Sequence, residues 1–139
     1  MSKVAIRKAL DGEITKWRNE QHPDVDIAYE GIAYTPTKNM YVRPVLYPAG
    51  VSNPSIGNEH YREYGTYVVR VNTPILNTGM KSSDTLSDSV TNWFKRGMGI
   101  EKDGLTIYIQ NTPYAHFNNI NDKWNEVYIE IPYYCDTIK

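Results

Sequence analysis

The side chains with the most chemical potential in this chain are three histidines, one cysteine and a short acidic run. His22-Pro23-Asp24-Val25-Asp26, with Glu30 shortly after it, puts an imidazole beside carboxylates. That grouping offers oxygen ligands for a divalent ion or carboxylates for acid–base hydrolysis. It lacks the glycine and terminal glutamate of an EF-hand loop, so a solvated helix-to-strand turn is the better reading. His22, His60 and His116 are far apart, and no HExxH, HxxxH or CxxC spacing is present. Each therefore reads as a loop or surface histidine, with no metal implied. Cys135 is the only cysteine, so no intrachain disulfide can form. With no cation beside it to stabilise a thiolate, it reads as an inert thiol packed against Tyr133 and Tyr134. Gly97 and Gly99 follow a helical pattern and lack the GK[ST] ending of a phosphate loop, and there is no GxSxG elbow. Glu30, Glu126 and Glu130 sit on strand-like segments whose exposed faces routinely carry such residues. No catalytic residue and no cofactor are expected.

The elements around these side chains follow from hydrophobic spacing. Ile6, Leu10, Ile14 and Trp17 fall on one face of a helix spanning 2–21, capped by Ser2 and stopped at Pro23. Strands are expected over 27–34, 40–47 and 61–72. Pro44 has no amide hydrogen to donate, which makes its strand an edge or a bulged one. Pro48 to His60 and Asn111 to Lys123 read as irregular loops. A second helix, 83–96, buries Leu86, Val90, Trp93 and Phe94. Ser82 or Ser83 would cap it, Asp84 suits its first turn, and Lys95-Arg96-Gly97 closes it. Leu105, Ile107 and Ile109, then Val127, Ile129 and Ile131, alternate with polar or aromatic residues as half-covered strands do. The expected fold is α+β in two layers: a mixed, mostly antiparallel sheet of about four to five strands, two helices packed on one face, and a single domain over 1–139.

Lys and Arg total 15 against 16 Asp and Glu, so no basic excess recommends a phosphate backbone as partner. No apolar run approaches the ~20 residues of a membrane span. Of the aromatic residues 12 are Tyr and only 2 are Phe. That suits either half-buried contact surfaces or simply a strand-rich chain. His60-Tyr61-Arg62-Glu63-Tyr64, with Arg43 and Arg70, has the aromatic and basic groups that stack on single-stranded nucleic acid. Glu59 and Glu63 cancel much of that field, and a protein-facing patch is more natural. The candidate contact residues are Arg43, Tyr47, Tyr61, Arg62, Tyr64 and Tyr67.

Several local patterns occur in a recognisable order. The N-terminal helix is followed by Ala28-Tyr29-Glu30-Gly31 and Tyr34-Thr35-Pro36. Tyr41-Val42-Arg43-Pro44-Val45-Leu46 and Tyr64-Gly65-Thr66-Tyr67-Val68-Val69-Arg70-Val71 come next, then a helix ending in Trp93-Phe94. This order resembles the tail-terminator and minor tail proteins of long-tailed bacteriophages, the lambda-type tail terminators among them. The resemblance implies a structural protein that forms a ring of its own copies, commonly a hexamer, on the head-proximal end of the tail tube. Such a ring ends tube polymerisation and offers the surface to which the head attaches. Its partners would be itself, the tail tube protein and a head-completion or neck protein, with DNA only passing through the lumen and no membrane involved. It would reside in the virion tail after assembly in the host cytoplasm. The alternatives are another neck or minor tail component, such as a head-completion or tail-tip adaptor, and a small hydrolase using Asp24, Asp26 and Glu30.

Overall fold

The computed structural model describes residues 3–37, 39–53, 60–75, 80–120 and 123–138, with the side chains of 117–120 and 138 left aside. Helix α1 (Lys3–Gln21) forms on the expected stripe, and Ile6, Ala9, Leu10, Ile14 and Trp17 are all buried. Burying one such large side chain stabilises by roughly 1.5–3 kcal/mol, which outweighs the cost of about 1 kcal/mol for Gly12 in the helix interior. The expected cap, Ser2, lies outside the described residues.

Strand β1 (Asp26–Ile27) is far shorter than the expected 27–34 and pairs in parallel with the start of β2 (Tyr41–Ser52). Ala28 makes the last backbone bond to β2, donating to Val42, and the backbone then leaves the sheet and turns through Gly31 at φ 82°. Strand β2 does not stop at Pro48. After a bulge between Pro48 and Gly50 it continues to Ser52, antiparallel to β3 (His60–Pro74). The loop expected over 48–60 is therefore largely ladder, and the remainder, 54–59, lies outside the described residues.

Helix α2 (Lys81–Trp93) starts without a side-chain cap. Ser83, a proposed cap, is instead buried with Ser87, Leu86 and Val90 on the inward face. Phe94 closes the helix by donating to Val90, ahead of the expected end at Arg96. Gly97 adopts its positive φ of 84° in the turn that follows, where its N–H bonds to Ile109.

Strands β4 (Gly99–Lys102) and β5 (Leu105–Ile109) form a tight hairpin, Lys102 pairing with Leu105. Asp103 and Gly104 between them both have positive φ, 53° and 80°, the backbone of an Asp-Gly type I′ turn. Strand β6 (Tyr114–Ile120) occupies most of the segment expected as a loop over 111–123, and β7 (Trp124–Ile138) ends the described chain.

The result is a curled sheet of seven strands where four to five were expected. Its order is β1-β2-β3-β7-β5-β4, and β6 also pairs with β7. The two strands beyond that number are β4, which pairs with β5, and β6, which pairs with the long strand β7. Strand β7 lies along β3 for its whole length, while its first half pairs with β6 and its second half with β5. Every pairing is antiparallel except β1 with β2, as the mostly antiparallel expectation required.

Both helices pack on one face, over a single core that joins Leu10, Ile14 and Trp17 to Leu86, Val90 and Phe94. Val69, Val71, Ile129 and Ile131 supply the sheet side. Polar clasps hold the helices together. Trp17 Nε1 donates to Ser89 Oγ at 3.0 Å, His22 Nε2 lies 3.0 Å from the same oxygen, and Trp93 Nε1 donates to Glu13 at 2.9 Å.

Pro44 lies at an edge, and its position there has a reason. Val42 presents its backbone outward to β1, so by strand alternation Pro44, Leu46 and Pro48 do the same. Two of these have no N–H, and the Leu46 N–H donates to Glu30 Oε1 at 3.3 Å. The outward donors of this stretch are thus absent or occupied, which blunts it against pairing with a stray strand.

Candidate interaction surface

Period-two alternation in β3 and β7 sends Tyr67, Val69 and Val71, with Val127, Ile129, Ile131 and Tyr133, toward the helices. Their neighbours therefore form the other, helix-free face. The register lines these up in rows. One row runs Tyr108, Tyr134, Tyr64 and Gly50 across β5, β7, β3 and β2. Another runs His116, Tyr128, Arg70 and Arg43 across β6, β7, β3 and β2.

Stacking holds the first row. The Tyr108 and Tyr134 rings lie 5.3 Å apart at 25°, and the Arg62 guanidinium sits 4.3 Å over Tyr134. Arg62 is itself held in a two-pronged bond, Nε and Nη2 donating to Asp136 at 2.7 and 2.9 Å. That partnership, chiefly the Arg62 hydrogen bonds, lowers the Asp136 carboxyl below its ordinary range. Tyr64 lies across Gly50 so closely that a Cβ there would sit 2.9 Å from its hydroxyl, and a side chain at 50 would push the Tyr64 ring aside.

In the second row Arg70 lies 4.9 Å over the Tyr128 ring and donates from Nη2 to Tyr47 Oη at 3.1 Å. A hydrogen bond to Glu126, aided by burial, raises the Tyr128 phenol. At the end of this row His116 pairs with Glu130 at 3.2 Å and meets the Tyr114 ring edge-on at 4.3 Å.

The six contact residues expected from the sequence divide between the two faces. Arg43, Tyr47, Arg62 and Tyr64 come together on the helix-free face. Tyr61 and Tyr67 have the opposite parity. Tyr67 is fully buried, and its hydroxyl donates to Asp11 Oδ1 at 2.5 Å. It is a core residue and offers this chain's surface nothing. Sequence reasoning passed over Tyr108, Tyr114, Tyr128 and Tyr134. The alternation of Tyr128 with Val127 and Ile129 was the signal available for that strand.

The acidic candidates do not converge. Asp24 is exposed, Asp26 accepts from Tyr34 Oη at 3.0 Å, and Glu30 pairs with Arg7 while accepting from Leu46. Among the described residues no three His, Cys, Asp or Glu side chains are grouped to hold a metal ion. Cys135 is buried, and desolvation pushes its thiol up to about 11. It is therefore not a thiolate nucleophile at neutral pH. The Ser89–His22 contact shares its serine oxygen with Trp17 and acts as a link between helices. Among the described residues no helix is long and apolar enough to cross a membrane.

Comparison with known proteins agrees with the resemblance read from the sequence. A solved structure superposes with a TM-score of 0.80 at 22% identity, covering 97% of this chain and 96% of its own, which shows a shared fold. No curated protein sequence matches the chain. The profile of the phage tail terminator protein family matches residues 5–133. With a match running from the first helix into the last strand, this chain belongs to the phage tail terminator protein family.

Proposed function

We propose that this chain is a non-enzymatic tail terminator. Copies associate into a closed ring, expected to be a hexamer, on the head-proximal end of the tail tube. The ring ends tube polymerisation and presents its outer side to a head-completion or neck protein. DNA meets it only in passing through the lumen, and no membrane or cofactor takes part. The protein works in the virion tail, after assembly in the host cytoplasm.

The observation carrying this reading is the family match over 5–133. The helix-free sheet face adds support, being furnished with stacked tyrosines and arginines, the residue types that anchor protein interfaces. Near-neutral net charge, –1, also suits a lumen through which DNA must slide.

Deleting the gene from the producing phage tests the reading. Overlong tails without heads are expected. Tails of normal length would contradict termination and favour another neck or minor tail role.

A further inference from the structure

Arg43 and Arg70 stand on one flank of the helix-free face, beside Glu126 and Glu130, whose carboxylates are engaged by Tyr128 and His116. Arg43 and Arg70 are direct cross-strand partners in β2 and β3, and like charges so placed repel. The ion pairs among the described residues are Arg7–Glu30, His60–Asp136, Arg62–Asp136 and His116–Glu130, so neither arginine has a carboxylate. Arg70 satisfies Nη2 on Tyr47, yet its Nε is buried with no acceptor. A buried guanidinium donor ordinarily has a partner.

On the other flank, the β4–β5 hairpin carries Glu101 and Asp103, with Lys102 between them. Glu101 pairs with Thr106, in the same alternation as Gly99 with Tyr108, and so shares the helix-free face. Asp103 stands at the hairpin tip. Both are exposed, and among the described residues neither joins an ion pair. Strands β7 and β5 lie between β3 and β4, a separation on the order of 14 Å across the sheet. The two groups cannot meet within one chain.

We propose that Glu101 and Asp103 of one copy dock on Arg43 and Arg70 of the next, forming a head-to-tail contact between copies. A contact that joins two different patches of the same chain is the kind that propagates and closes into rings. Two carboxylates meet two guanidinium groups. Closure of the contact into a ring rests on the function proposed above, whereas the contact itself does not.

Two double variants test this. R43E/R70E reverses the receiving flank, and E101R/D103N reverses the docking flank, the asparagine replacing Asp103 being equally suited to the type I′ turn. Sedimentation velocity is expected to show assembled wild type and at least ~10-fold weaker self-association for each variant alone. Circular dichroism is expected to show both folded. An equimolar mixture is expected to regain assembly, because each junction then joins opposite charges again. Variants that assemble like wild type, a mixture that stays monomeric, or a wild type that is only ever monomeric would overturn the contact. Adding tail tube protein separates the two readings. Variants that still form rings and cap tubes overturn the contact alone. A wild type that assembles through this contact yet leaves tubes uncapped overturns the function alone.

Discussion

Tyr67 and Asp11 are joined by a 2.5 Å hydrogen bond from the tyrosine hydroxyl, which ties α1 to the middle of β3 inside the core. Burial raises the Asp11 carboxyl above its ordinary value and outweighs the opposing hydrogen bond from Tyr67. The native state therefore holds the Asp11 proton more tightly than the unfolded chain. The resulting stabilisation is complete below the unfolded value near 3.8 and is lost as pH rises through the raised native value. Asp11→Asn removes this dependence. Thermal melts from pH 3 to 7 are expected to show the variant gaining on wild type as pH rises, and a flat or falling difference would refute the assignment.

Asp136 has the opposite sign. Its carboxyl is lowered by Arg62, so its contribution is present above pH 3.8 and disappears as pH falls. The pair is partly exposed, with Arg62 at 38%, so Asp136→Asn is expected to cost under about 1 kcal/mol at pH 7. Urea titrations are expected to show that deficit shrinking toward zero near pH 2.

Gly65 lies under the Tyr133 hydroxyl, and a Cβ there would come within 2.5 Å of the Tyr47 carbonyl oxygen and 2.7 Å of Tyr133 Oη. The first neighbour is backbone and cannot swing away. Gly65→Ala is expected to lower stability by roughly 1–3 kcal/mol, read as a fall in the urea midpoint. Adding Tyr133→Phe is expected to relieve only the hydroxyl part of the clash.

Glu30 occupies the Leu46 N–H between two prolines on the β2 edge. Glu30→Ala uncovers the outward donor of that stretch. Hydrogen exchange at the Leu46 amide is expected to accelerate by about 10-fold or more, in keeping with loss of a bond worth roughly 1 kcal/mol or more. Unchanged exchange would show that the edge is protected by something else.

Legibility followed the strength of each local pattern. The stripe Ile6, Leu10, Ile14 and Trp17 gave α1, and Val127, Ile129 and Ile131 gave the heart of β7, because the buried face of each repeats at its own period. Pro44 marked an edge because a missing donor has only one tolerable direction to face. Strand β6 escaped notice because it pairs only with half of β7 and Tyr114, Ala115 and His116 are all exposed, leaving no alternation to read. Ser83 misled as a cap because a small polar residue serves equally well where a helix packs closely. Tyr67 looked like a contact residue by type, but it shares the parity of Val69 and Val71, and parity decides the face. The opposition of Arg43 and Arg70 was unreadable, since it depends on hairpin register rather than on either residue.

Tube assembly is the most direct test of the central claim. Tail tube protein is polymerised in vitro with and without this chain, and tube lengths are measured by electron microscopy. Arrested growth with a ring visible at one tube end is the result predicted. Tubes that keep lengthening, with both ends bare at saturating amounts of the chain, would contradict it.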